Sequence, residues 1–191
     1  AIWNLTGPSF SVGFILLLAS VVLLSVAGRV RRANAVAYIL YDTENQSLTK
    51  AHAEDFARFL TDQHLPGTIH RLAFYRKNQP DARNHEIVFR HIAFKLISTD
   101  DNQAQAVDRR ILRKIQWIVW AHPFQEVHVV LVTTDQDYEG AVKVLRFMNY
   151  RVSVWAKAFD GRTSELYQHA GAETLAFGSY LSPSPQHPTR R

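Results

Sequence analysis

The sequence predicts an α/β domain, a central and mostly parallel sheet with helices on both faces, preceded by a single transmembrane helix. Three observations predict it. Short apolar runs that end in turn residues alternate along the chain with segments of helical periodicity. Two of those runs, VAYILY and VHVVLV, are near-continuous apolar runs, as strands buried on both faces are. Ahead of them, the 19 residues from Phe10 to Gly28 carry no charge.

As a helix, residues 10–28 reach about 28 Å, close to the roughly 30 Å hydrocarbon core of a bilayer. A cleaved signal peptide needs a basic n-region, and residues 1–9 hold no Lys or Arg. No polar stripe marks the run as a core helix. Arg29, Arg31 and Arg32 follow, within a basic juxtamembrane linker at 29–34. By the positive-inside rule they place the rest of the chain on the cytoplasmic side of an inner or cytoplasmic membrane, with residues 1–9 outside. Small residues such as Gly13, Ala19 and Ser20 suit packing against other transmembrane helices of a membrane complex, so the lipid bilayer and such helices are the partners expected of this segment.

The domain itself is expected over residues 35–178. Val36–Tyr41 reads as a buried strand closed by Asp42. Leu48, Ala51, Phe56, Phe59 and Leu60 predict a helix, ended by Pro66 and Gly67, and Thr68–Phe74 a second strand. Asp81–Ala93 has helical spacing with Ile87, Phe89 and Ile92 inward, while Ala93–Ile97 reads equally as a short strand, and periodicity leaves the choice open. Ala104, Val107, Ile111, Ile115, Ile118 and Val119 predict a long amphipathic helix stopped by Pro123. Strand Val127–Val132, helix Glu139–Met148, strand Arg151–Ala156, helix Ser164–Ala170 and a last apolar piece Thr174–Phe177 complete the series. Residues 179–191, with three prolines, are expected to form a flexible tail.

Composition excludes several functions. Without cysteine there are no disulfides, thiolate zinc sites or cysteine nucleophiles, so any metal must rest on oxygen or imidazole. No two of the nine histidines stand four residues apart, and there is no GxGxxG, P-loop or nucleophile elbow. The net charge of +5 comes entirely from Arg29, Arg31, Arg32, Arg190 and Arg191. Residues 33–189 are neutral, so the basic pI is not evidence of nucleic-acid binding.

The chemistry lies where strands end. Val36–Tyr41 delivers Asp42, Glu44 and Asn45; Val127–Val132 delivers Thr134, Asp135 and Asp137. In an open parallel sheet ligands bind outside the carboxyl ends of the strands. Neighbouring strands about 4.8 Å apart would bring Asp42 and Asp135 within reach of one hard cation, Mg²⁺ or Mn²⁺. Singly, each of these residues is equally suited to capping a turn or helix. Thr134 can support a neighbouring carboxylate through a hydrogen bond or simply close its turn.

AYILYDTENQ resembles the first motif of the NYN domain family, within the PIN-like ribonuclease superfamily, with Asp42 and Asn45 in register. VVLVTTDQDYEGAVKVLRFMNYRVSVW is similar to that family's second motif and the helix and strand after it, through Thr134, Asp135, Asp137 and Tyr138. SELYQHAGAETLAF resembles its closing helix and strand, and Asp108 fits a further acid at the start of the preceding helix. Gln103 and Gln105 stand where the family often has a basic residue.

The resemblance implies a PIN-like three-layer α/β/α fold and a Mg²⁺- or Mn²⁺-dependent endoribonuclease. Asp42, Asp108, Asp135 and Asp137 would bind the metal, and Asn45 would orient a ligand or the RNA. Arg109, Arg110, Arg113 and Lys114 stand within two turns of Asp108, as RNA-phosphate contacts or as an ordinary solvated helix face. Arg71, Arg76, Lys77 and Arg83 are a second candidate basic rim. The alternative is a noncatalytic subunit that keeps the fold in a membrane complex.

Overall fold

In the computed structural model, residues 35–100 and 105–181 are described. The candidate transmembrane helix at 10–28 and residues 182–191 of the tail lie outside them. Among the described residues no helix is long and apolar enough to cross a membrane.

Six parallel strands form one sheet: β1 (Val36–Asp42), β2 (Thr68–Arg76), β3 (Lys95–Thr99), β4 (Val127–Val132), β5 (Arg151–Ala156) and β6 (Glu173–Ala176). Their spatial order is β3-β2-β1-β4-β5-β6. The chain builds outward from β1 to β3, then returns to the middle to build outward again. The reversal lies between β1 and β4, which pair in register from Val36–Val127 to Tyr41–Val132. Every residue of β1 and β4 is buried, the polar Asp42 and His128 included, as their otherwise apolar runs lead one to expect.

Five helices cover the faces: α1 (Lys50–Asp62), α2 (Ala82–His91), α3 (Ala106–Ala121), α4 (Glu139–Phe147) and α5 (Gly161–His169). Side chains alternate along a strand, so β1 sends Tyr38 and Leu40 one way and Ile39 and Tyr41 the other. Ile39 and Tyr41 meet Phe56 and Phe59 of α1 and Phe89 of α2. Tyr38 and Leu40 meet Val107 and Ile111 of α3, with Val142 of α4 and Tyr167 of α5 in the same core.

The ambiguous stretch holds both elements: helix α2 ends at His91, and Ala93 turns in the left-handed region (φ 59°) to start β3. Phe89 and Ile92 are buried as expected, whereas Ile87, also expected inward, is exposed, because α2 seats Val88 in its place. Helix α5 starts three residues earlier than its apolar spacing suggests, since the Asp160 carboxylate accepts from the amide of Thr163 at 2.6 Å. Gly67 (φ +64°) brings the chain against Ala35, where a Cβ would lie 1.8 Å from the Ala35 carbonyl oxygen. Packing continues past 178, with Tyr180 edge-on to Phe59 at 5.0 Å between ring centroids.

Candidate functional site

Asp42 is the last residue of β1 and continues the side of Tyr38 and Leu40, toward α3. It is 1% exposed. The backbone amides of Glu44 and Asn45 donate to its Oδ1 at 3.0 and 3.3 Å, and the Asn45 side chain donates to its Oδ2 at 2.7 Å. Asn45 therefore holds the carboxylate from the turn that follows β1. Burial pushes the Asp42 carboxyl up to about 6, against the lowering effect of the Asn45 bonds, and the Asp108 charge raises it further.

The second contributor is Tyr138, which ends a single 3₁₀ turn (Gln136–Tyr138) after β4. Its buried hydroxyl lies 2.7 Å from Asp108 Oδ1 and 3.4 Å from Asp42 Oδ2, and its one proton is directed to the nearer Asp108. Burial, with the charges of Asp42, Asp108 and Asp135, drives its pKa far above the tyrosine range. Three carboxylates thus act on one hydroxyl. Asp108 itself sits in the first turn of α3, where a negative charge suits the helix end.

Asp135 follows β4 and caps the 3₁₀ turn, its Oδ1 accepting from the Asp137 amide at 2.9 Å. The Tyr167 hydroxyl of α5 donates to its carbonyl. Asp137 is exposed on the rim. Thr134, expected to donate to a carboxylate, instead accepts from Gln46 Nε2 at 3.2 Å. The supporting threonine is Thr133, whose hydroxyl lies 3.4 Å from Asp42 Oδ2. Alternation explains the exchange: Thr133 continues the side of Val129 and Leu131 that faces α3, and Thr134 does not. Buried Gln46 also accepts from the Lys157 amide at 3.0 Å and so ties the ends of β1, β4 and β5 together.

Glu44, grouped by sequence with Asp42, turns away to pair with Arg76 and accepts from Gln79 at 3.0 Å. The second candidate basic rim is largely spent: besides Arg76, Lys77 pairs with Asp100 at 3.0 Å and Arg71 donates to the Ile92 carbonyl at 3.4 Å. Arg109, Arg110 and Arg113 are exposed along α3, with Lys114 half-buried beside them. They flank the acids on a neighbouring surface rather than meeting them.

The expected four-aspartate ligand set is not closed on one point: among the described residues no three carboxylates or imidazoles group tightly enough to hold an ion. The Tyr138 hydroxyl stands between Asp42 and Asp108, and Asp135 is engaged in its own turn. By chemistry the donors nevertheless fit a hard divalent cation. They are all oxygen, and among the described residues none of Asp42, Asp108, Asp135 or Asp137 is in an ion pair.

Sequence reasoning assigned no role to Tyr138, Thr133, Tyr167 or Gln46. For Thr133 the signal was strand parity; for the other three the partners lie 30 or more residues away.

The NYN domain model matches residues 36–175. A solved isochorismatase-like hydrolase from Alkaliphilus metalliredigens is similar over 78% of this chain and 95% of its own, at 11% identity and a TM-score of 0.34. No curated protein matches.

Proposed function

The chain belongs to the NYN domain family, and on that premise we propose that it is a metal-dependent endoribonuclease hydrolysing RNA phosphodiester bonds. The observation that carries the reading is that the Tyr138 hydroxyl stands between Asp108 and Asp42, at 2.7 and 3.4 Å, with Asp135 after the adjacent strand β4 and, among the described residues, no ion pair to any of the three carboxylates. It lies at the point where strand order reverses, where open α/β sheets bind their ligands.

Asp42, Asp108, Asp135 and Asp137 would hold Mg²⁺ or Mn²⁺. Such an ion, when bound, offsets the carboxylate charge, polarises a phosphoryl oxygen and lowers the pKa of a water. The protein's own work is positional. Asn45 and the amides of residues 44 and 45 keep Asp42 in one orientation. Tyr138 holds a proton between Asp42 and Asp108, and Gln46 keeps the three strand ends in fixed relation. The basic residues of α3 would hold the RNA backbone. A membrane tether through residues 10–28, with the domain on the cytoplasmic side, belongs to the same proposal.

One observation favours the second reading, a noncatalytic subunit: both oxygens of Asp42 already accept hydrogen bonds within the protein. The test is cleavage of labelled single-stranded RNA by the full chain with Mg²⁺ or Mn²⁺, beside an EDTA control and Asp135→Asn. Metal-dependent cleavage lost in the variant supports the nuclease. A folded protein inert toward several RNAs with either metal supports the subunit.

A further inference from the structure

Helix α3 carries a second stripe beside its buried one. Arg110, Arg113, Lys114 and Trp117 fall at i, i+3, i+4 and i+7, on one flank of the helix. They overhang a groove of about 350 Å³, with Leu72, Phe74 and Ile97 as its floor and Lys95 on its far side. The groove lies where β2 and β3 are paired, from Leu72–Lys95 to Phe74–Ile97, because α3 packs mainly on β2 and β1 and covers β3 less.

Its charge is one-sided. Among the described residues, Lys95, Arg110, Arg113 and Lys114 make no ion pair. Burial and the nearby Lys95 charge push the Lys114 pKa down. An adjoining cavity of about 280 Å³ shares Arg110 and Arg113 and reaches Ser98, Thr99 and Ala106, at the end of α3 that bears Asp108. Among the described residues the one carboxylate lining it, Asp100, is paired with Lys77. At the other end the Lys114 ammonium lies 3.3 Å from the ring centroid of Trp117, which is 45% exposed. Crowded cations beside an apolar floor and an aromatic ring suit a ligand with both phosphates and open base faces.

We propose that this groove is a single-stranded RNA track leading to the acidic crevice, with phosphates on Lys95, Arg110 and Arg113 and a base on Trp117. The Lys114–Trp117 contact opens as RNA enters: the ammonium takes a phosphate and the indole takes a base. From Asp108 to Trp117 the track follows α3 for about 13 Å. A duplex keeps its bases stacked and offers the ring nothing, which makes the track selective for single strands. The proposal rests on the nuclease reading of the crevice for the direction in which the track leads.

The test is anisotropy of a fluorescein-labelled oligouridylate, and of an RNA duplex of equal length, with the full chain in EDTA at several salt concentrations. The single strand binds more tightly. Trp117→Ala weakens it about tenfold with the salt slope unchanged, and Trp117→Phe restores most of the loss. Arg113→Gln and Lys95→Gln, on separate elements, each weaken binding and reduce the salt slope by about one. Equal affinity for both probes, or variants within twofold of the parent, overturns the track. If the groove variants weaken binding but the parent cleaves nothing with Mg²⁺ or Mn²⁺, the nuclease reading falls and the track stands. If the parent cleaves and the same variants leave KM unmoved, the track falls and the nuclease stands.

Discussion

The acidic crevice between β1 and β4 and the cationic groove beside β3 share helix α3 and are built in opposite ways. The crevice is buried: Asp42 is 1% exposed, both its oxygens are held, and its neighbours are fixed by hydrogen bonds from three strand ends. The groove is open, and its guanidinium groups are exposed on a helix flank. Burial makes each charge in the crevice costly and its orientation definite, whereas exposure makes the groove's charges cheap and adaptable. A domain neutral over residues 33–189 can therefore present two regions of opposite sign, and net charge conceals the separation.

The largest expected effect divides the regions by kinetic parameter. Asp42→Asn lowers kcat for RNA cleavage at least about a hundredfold and leaves RNA affinity in EDTA undiminished, because it removes negative charge from the crevice. An equal loss of affinity would break the distinction. Next, Tyr138→Phe removes the proton between Asp42 and Asp108 at an expected cost of about 1–3 kcal/mol, read in urea unfolding and as a lower kcat. The reversal pair Arg113→Glu with Lys114→Glu raises KM about tenfold with kcat retained. A fall in kcat alone would merge groove and crevice into one site.

The pH dependence of stability, measured in EDTA, sharpens the same contrast through two buried groups. Asp42 is raised to about 6, so the fold binds its proton more readily than the unfolded chain does, and its effect lowers stability as pH rises from about 4 through about 6. His128 is lowered to about 4, by burial and then by Arg151, and is neutral in the fold. Its effect lowers stability as pH falls from about 6.5 through about 4. The two oppose each other in one window, so the parent's melting temperature changes little there. Asp42→Asn exposes an acid-side loss of about 2 kcal/mol, and His128→Leu the reverse slope. Parallel melting curves for parent and both variants would show that neither group titrates with the fold. The smallest effect is Gln46→Ala, about 1 kcal/mol by thermal unfolding, from the loss of its ties to Thr134 and Lys157.

Much of this was legible beforehand where the signal is local. Val36–Tyr41 and Val127–Val132 announce buried parallel strands because they are near-continuous apolar runs, and their following acids mark the carboxyl ends. Asp42 and Asp135 were found for that reason. Only alternation separates Thr133, which faces Asp42, from Thr134, which does not, and Glu44 and Arg76, which pair with each other, stand 32 residues apart in the chain.

The sequence by itself determined the alternation of strands and helices, the faces they bury and the family, since each is written in spacing over a few residues. Only the tertiary structure decided that Tyr138 stands between Asp42 and Asp108, that the second basic rim is largely consumed, and that Lys95 of an edge strand joins Arg110, Arg113 and Trp117 of α3. Those meetings depend on strand order and on how far a helix covers the strands beneath it. Residues 15 to 96 positions apart carry no mutual periodicity, and packing alone brings them together.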